Sequence, residues 1–127
     1  MAVSQDFRDY VIEQLGRVVG VEWKRMFGGV GLYADEMFFA LIDDDVVYFK
    51  VGDLNRADFE SAGSRPFRPY GDERVSMSYY ELPVDVLEDP GRLRTWIEKS
   101  LAVAKSAAAT KQRKKSRPTS SGKKSKS

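Results

Sequence analysis

Lys111, Arg113, Lys114, Lys115, Arg117, Lys123, Lys124 and Lys126 put eight positive charges into the last 17 residues of a 127-residue chain. Only Gln, Ser, Thr, Pro and Gly stand between them. The chemistry open to such a segment is attraction of polyanions by counterion release. Log affinity for duplex DNA falls by roughly 0.9 per neutralised phosphate per log unit of salt, so six engaged charges lose about 10³ in affinity over a fourfold rise in salt. With no aromatic and no rigid helix of groove size, the segment cannot read sequence, and non-specific binding of about 10⁻⁴ to 10⁻⁶ M is expected. The competing reading is an inert solubilising tail, or one folded back on an acidic body. Residues 1–104 are such a body, with 12 basic residues against all 19 acids, a net charge of −7. Residues 105–127 carry nine basic residues and no acid, so the overall +2 describes neither part.

The chain has no His and no Cys. A thiol nucleophile, a Cys/His zinc site, a disulfide framework, a histidine base and a Ser-His-Asp triad are thereby excluded. Carboxylate, Lys, Tyr and Ser-Lys enzymes survive this cut, but no spacing points to one. Ser76, Ser78, Tyr79 and Tyr80, with Glu81, are dense in reactive groups, yet a nucleophile needs a base beside it and only Lys50 or a carboxylate is on offer. Alternation explains them instead, with Met77 and Tyr79 facing the core and the serines facing out. Gly28-Gly29-Val30-Gly31 is followed by apolar strand material rather than a helix, so it reads as a glycine bulge and not a phosphate loop. Asp43-Asp44-Asp45 lacks the alternating acids, central Gly and distal Glu of a calcium loop and reads as a solvated turn. No catalytic residue, metal or cofactor is expected.

Lys24, Arg25 and Lys50, with Tyr48 and Tyr80, are a candidate anion or partner patch on an exposed sheet face. The plainer role for the cations is to solubilise an edge strand. Trp23, Phe27, Phe38, Phe39, Phe49 and Trp96 are expected to pack in the core, while Tyr33, Tyr48 and Tyr80 could form a docking face.

The elements that must position these residues follow from periodicity. Ser4 is a suitable N-cap for an amphipathic helix over 5–18, with Phe7, Tyr10, Val11, Leu15 and Val18 on one side. Three apolar runs, Trp23–Tyr33, Met37–Ile42 and Val46–Val51, are separated by short acidic turns and predict an antiparallel meander. Val47, Phe49 and Val51 share one face of the last run, and Val46, Tyr48 and Lys50 the other. Asp53 caps a short helix over 54–62. A strand is expected through Phe67–Tyr70, confined to an edge by Pro69, and another over Val75–Leu82. A short turn or helix spans Val84–Leu87. Asp89-Pro90 then starts a helix whose core stripe is Leu93, Trp96, Ile97, Leu101 and Ala104, and which frays at Ala107–Ala109 into a disordered tail. The domain is therefore 1–104, and 105–127 is the basic tail.

The segment KRMFGGVGLYADEMFFALIDDDVVYFKV, residues 24–51, with SMSYYELP at 76–83, resembles the N-terminal domain of the TfoX/Sxy family of competence regulators over about residues 5–104. The resemblance implies a two-layer α+β domain, an antiparallel sheet of about five strands with flanking helices, similar to the YgaC and secretion-chaperone-like folds. Competence regulators of this family carry a second, C-terminal domain and act with the cyclic-AMP receptor protein at promoters. Here a basic tail is expected in that place, and the resemblance implies no assigned catalytic residues.

The reading reached is a non-enzymatic regulatory or adaptor domain with an unidentified protein partner, whose tail adds non-specific DNA or RNA affinity. The alternatives are a pure protein-interaction module with an inert tail, and an enzyme using carboxylates or tyrosines in a sheet cleft. No apolar run approaches the ~20 residues of a membrane span, and no leader is visible, so a cytoplasmic location, with nucleoid association through the tail, is expected. Open sheet edges permit a homodimer.

Overall fold

The computed structural model describes residues 3–26, 29–67 and 78–116, the last seven of these as helix backbone. The chain opens with α1, Gln5–Gly16, whose N-terminus is capped by the Ser4 hydroxyl accepting from the Phe7 N–H at 3.2 Å. Four strands follow: β1 (Glu22–Met26), β2 (Gly29–Ala34), β3 (Met37–Asp43) and β4 (Val46–Lys50). Next come α2 (Arg56–Ser61), β5 (Tyr79–Glu81), α3 (Val84–Leu87) and α4 (Pro90–Ser116). The strands form one antiparallel sheet in the order β1-β2-β3-β4-β5. This is the α+β arrangement expected.

Two tight acidic turns set the meander. Asp35-Glu36 joins β2 to β3, and Asp44-Asp45 joins β3 to β4. All four residues have positive φ, from 51° to 64°. Positive φ at both central residues is the type I′ geometry whose twist matches paired strands. Aspartate tolerates that region better than most residues, and Asp45 gains a second use, because its carboxylate accepts from the Ser4 N–H at 2.8 Å and ties the turn to the start of α1.

The helices cover one face of the sheet. Val11 and Leu15 of α1, Val86 and Leu87 of α3, and Leu93, Ile97, Leu101 and Ala104 of α4 join Val30, Leu32, Phe39, Ile42, Val47 and Phe49 in a single core. Phe39 and Phe49 meet edge to face at 5.5 Å, and Phe59 of α2 meets Trp96 of α4 at 4.6 Å. The alternation expected for β4 is present, with Val47, Phe49 and Val51 buried and Val46, Tyr48 and Lys50 partly exposed.

Several local expectations are corrected. The Trp23–Tyr33 run is two paired strands, with Met26 opposite Gly29, rather than one strand with a glycine bulge. The irregularity in this part of the sheet falls between Leu32 and Tyr33 in their pairing with β3. A side chain at Gly29 would collide with the Ile42 carbonyl, so close strand approach explains that glycine.

The short helix begins at Arg56 with Asn55, not Asp53, at its N-cap. Asn55 is 1% exposed and makes no side-chain cap bond. Its Oδ1 accepts from the Gly52 N–H at 2.8 Å, and its Nδ2 donates to the Lys50 carbonyl and the Ser100 hydroxyl. The long last helix continues through Ser116, seven residues past the Ala109 end anticipated from its core stripe. Expectations for Phe27, the 68–70 end of the edge strand and its 75–77 successor fall outside the described residues.

Candidate functional site

Strand register divides the candidate patch between two faces. Lys24 pairs across β1–β2 with Gly31, Gly31 with Leu41, Leu41 with Tyr48, and Tyr48 with Glu81. Directly opposed residues share a face, so Lys24 and Tyr48 both lie on the outer face, away from the core. Lys50, two residues from Tyr48, lies there too. Arg25 opposes core residue Val30 and therefore sits on the helix side, with its guanidinium 5.8 Å from the Trp23 ring. Tyr80 opposes Phe49 and packs against Phe59 at 6.1 Å, also on the helix side. The five residues do not form one patch.

The same register reverses the expected parity of the last strand. Tyr79, expected in the core, lies on the outer face opposite Lys50; Tyr80, expected to face out, packs on the core. Tyr79 is nevertheless only 8% exposed. It closes a ladder of rings on the outer face, Tyr33 to Phe38 at 5.3 Å and Phe38 to Tyr79 at 5.6 Å. Phe38 thus leaves the core set to which the sequence reading assigned it.

Cations flank this ladder, the Lys24 ammonium 5.2 Å from the Tyr33 ring and the Lys50 ammonium 5.1 Å from the Tyr79 ring. Tyr48 forms a separate pair with Phe67 at 4.7 Å. Gly31 makes room at the centre, since a Cβ there would press on Met26 and Phe38. Trp23, also assigned to the core, stands 38% exposed on the edge strand with the Arg8 guanidinium 4.3 Å from its ring.

Burial and nearby carboxylates hold the Tyr79 and Tyr48 phenols of the outer face in their protonated form. Burial pushes the Tyr79 phenol up to about 12, with Tyr33 adding to the effect. Burial, then the carboxylates of Glu81 and Asp43, also raises Tyr48, against the opposing pull of Arg65. Both phenols keep their protons near neutrality, the opposite of what an activated phenolate nucleophile requires. The acidic turn is used structurally, Asp43 closing β3 and Asp45 holding Ser4.

The basic candidates fall into two groups. Lys111, Arg113, Lys114 and Lys115 lie on the C-terminal part of α4. Arg117, Lys123, Lys124 and Lys126 lie outside the described residues. Among the residues of α4 whose side chains are described, Ala104 is the last that belongs to the core, and Lys105 reaches back to Asp35 at 3.2 Å. From 105 to 116 the helix runs a further ~18 Å at 1.5 Å per residue. Positions 105, 111, 113, 114 and 115 are distributed around the helix axis rather than along one stripe. Sequence reasoning missed the Asn55–Ser100–Lys50 hydrogen-bond cluster that ties α4 to the end of β4. A polar residue before a helix looks like an ordinary cap, and only burial reveals the difference.

A five-stranded antiparallel sheet with helices on one side and an aromatic outer face defines a two-layer α+β domain. The family model of the TfoX N-terminal domain matches residues 13–104, and the chain belongs to that family, a regulatory type. No curated protein matches the chain. Among the described residues, no helix is long and apolar enough to cross a membrane.

Proposed function

We propose that the chain is a non-enzymatic regulatory or adaptor domain that contacts a protein partner through its sheet and nucleic acid through its basic C-terminal arm. The observation that carries this reading is the separation of charge from packing along α4. Among the residues whose side chains are described, Ala104 is the last in the core stripe, yet the helix continues and bears basic residues beyond an acidic body. Because those positions surround the helix axis, they favour attraction to phosphate over reading of base edges. Family membership supports the regulatory part of the reading, and a competence-related role is its finer form.

A pure interaction module with an inert tail is favoured by one observation, the ring ladder Tyr33–Phe38–Tyr79 on the sheet face opposite the core helices. Crosslinking from cells that express the chain with and without residues 111–127 separates the two. The proposal expects the full chain to recover a protein and nucleic acid, and the shortened chain to recover the protein alone. Equal nucleic-acid recovery from both overturns the role of the arm. Recovery of protein alone from both establishes the module reading.

A further inference from the structure

The two edges of the sheet are treated differently. At β5 the outward backbone groups are occupied, since the Phe67 N–H donates to the Tyr79 carbonyl at 2.8 Å and the Glu81 N–H donates to the Arg65 carbonyl at 2.9 Å. At the opposite end lies β1, paired on one side with β2 and, among the described residues, with nothing on the other. Glu22, Trp23, Lys24 and Arg25 are all exposed there. Bare edges invite strand pairing, and chains commonly blunt them with charge. Here the charges alternate in sign along one face: Glu22 and Lys24 are both on the outer side, and neither has an ion-pair partner among the described residues.

We infer that β1 is a homodimerisation edge, pairing antiparallel with β1 of a second copy about a two-fold axis through Trp23. Two identical edges pair antiparallel, with like faces kept together, only about an axis normal to the sheet. Residues on one face must then oppose residues on the same face, which restricts the axis to passing through a residue. An axis through Lys24 sets lysine against lysine, and one through Glu22 sets glutamate against glutamate. An axis through Trp23 sets Glu22 against Lys24 of the second copy, twice by symmetry, and Trp23 against its own twin. Directly opposed opposite charges and aromatic pairs stabilise a sheet, while like charges oppose it. An axis through Arg25 sets arginine against arginine, so of the four registers centred from Glu22 to Arg25 only the one through Trp23 satisfies every outer-face charge.

The strand is five residues, ~17 Å long, so the interface falls in the small, concentration-dependent class. Dimerisation would place two basic arms on one particle, but the edge argument stands independently of what those arms bind.

The test is sedimentation equilibrium of the full chain, free of nucleic acid, at low salt over rising concentration. The wild type is expected to move from monomer toward dimer. Lys24→Glu and Glu22→Lys each place like charges opposite one another and are expected to weaken self-association about tenfold. An equimolar mixture of these two variants restores both opposite-charge pairs and should associate again. So should the double variant carrying both exchanges.

Because the chain has no cysteine, register is read separately by oxidation. Trp23→Cys brings two thiols together at the axis, within the Cα separation a disulfide needs, and should crosslink; Lys24→Cys meets Glu22 and should not. A chain that stays monomeric throughout overturns the inference. So does self-association indifferent to the charge exchanges, or preferential crosslinking at position 24.

Discussion

Asn55 shows how much a single buried amide can organise. Its side chain satisfies the Gly52 N–H and the Lys50 carbonyl, and Ser100 bonds both Asn55 and that carbonyl, so the end of β4 and the middle of α4 share one set of hydrogen bonds. Gly52 fits closely beneath Val103 in the same region: a Cβ there would approach Val103 to 2.9 Å. Asn55→Ala removes the acceptor of the Gly52 N–H from a buried position, and a loss of about 2–3 kcal/mol is expected in chemical denaturation. Asn55→Asp keeps the acceptor but turns a donor into an acceptor facing the Lys50 carbonyl, so it should cost at least as much at neutral pH.

Tyr79 gives the residue scale a pH signature. Below about pH 10 its phenol is protonated in folded and unfolded chains alike and contributes no pH dependence. Between about 10 and about 12 the unfolded chain releases the proton while the folded chain retains it. Stability should therefore fall as pH rises through that window, by up to ~1.4 kcal/mol per pH unit from this group. Denaturation midpoints measured across the window should decline, and Tyr79→Phe should shallow the decline. An unchanged slope in the variant would place the alkaline sensitivity elsewhere.

At the scale of elements, the hairpins carry local strain that glycine would relieve. Glu36 sits at φ 64° in the β2–β3 turn, a region costly for a residue with a Cβ. Glu36→Gly should raise stability by about 0.5–1 kcal/mol, the gain in turn geometry exceeding glycine's added unfolded-state entropy. Thermal denaturation checks this directly. Asp45→Gly is the useful contrast, because it relieves similar strain but removes the acceptor for the Ser4 N–H, and so should gain less.

The same scale explains what the sequence made legible. Alternation in β4, the Ser4 and Asp89 caps and the α4 core stripe are local patterns, and each is present in the structure. The division of Trp23–Tyr33 into two strands was hidden because apolar residues continue on both sides of the glycines. The facing of Tyr79 and Tyr80 was hidden because two adjacent tyrosines look alike until pairing with Lys50 and Phe49 assigns their sides. The end of α4 was hidden because alanine, lysine and arginine favour helix without supplying a core face, so a stripe-based reading stops at the last buried residue. A patch drawn from Lys24, Arg25, Lys50, Tyr48 and Tyr80 could not be sorted by face without the sheet register.

At the scale of the molecule, packing and charge are assigned to different parts of one chain. The acidic body, residues 1–104, contains the whole of the family match and, among the residues whose side chains are described, every member of the core, while eight basic residues cluster beyond it in the last 17 positions. The proposed function assigns long-range attraction to a polyanion to the arm and specificity to the sheet. If that is so, removing the arm should leave folding stability nearly unchanged, since surface charges away from packed features shift it by about 0.5 kcal/mol or less.

The most direct measurement of this division is the salt dependence of duplex DNA binding by the full chain and by a chain ending at Thr110. The account predicts measurable binding by the full chain at low salt, falling steeply as salt rises. The shortened chain should bind far more weakly, with a slope shallower by roughly 0.9 for each phosphate that the arm had neutralised. Equal affinity and equal slope for the two chains would contradict it.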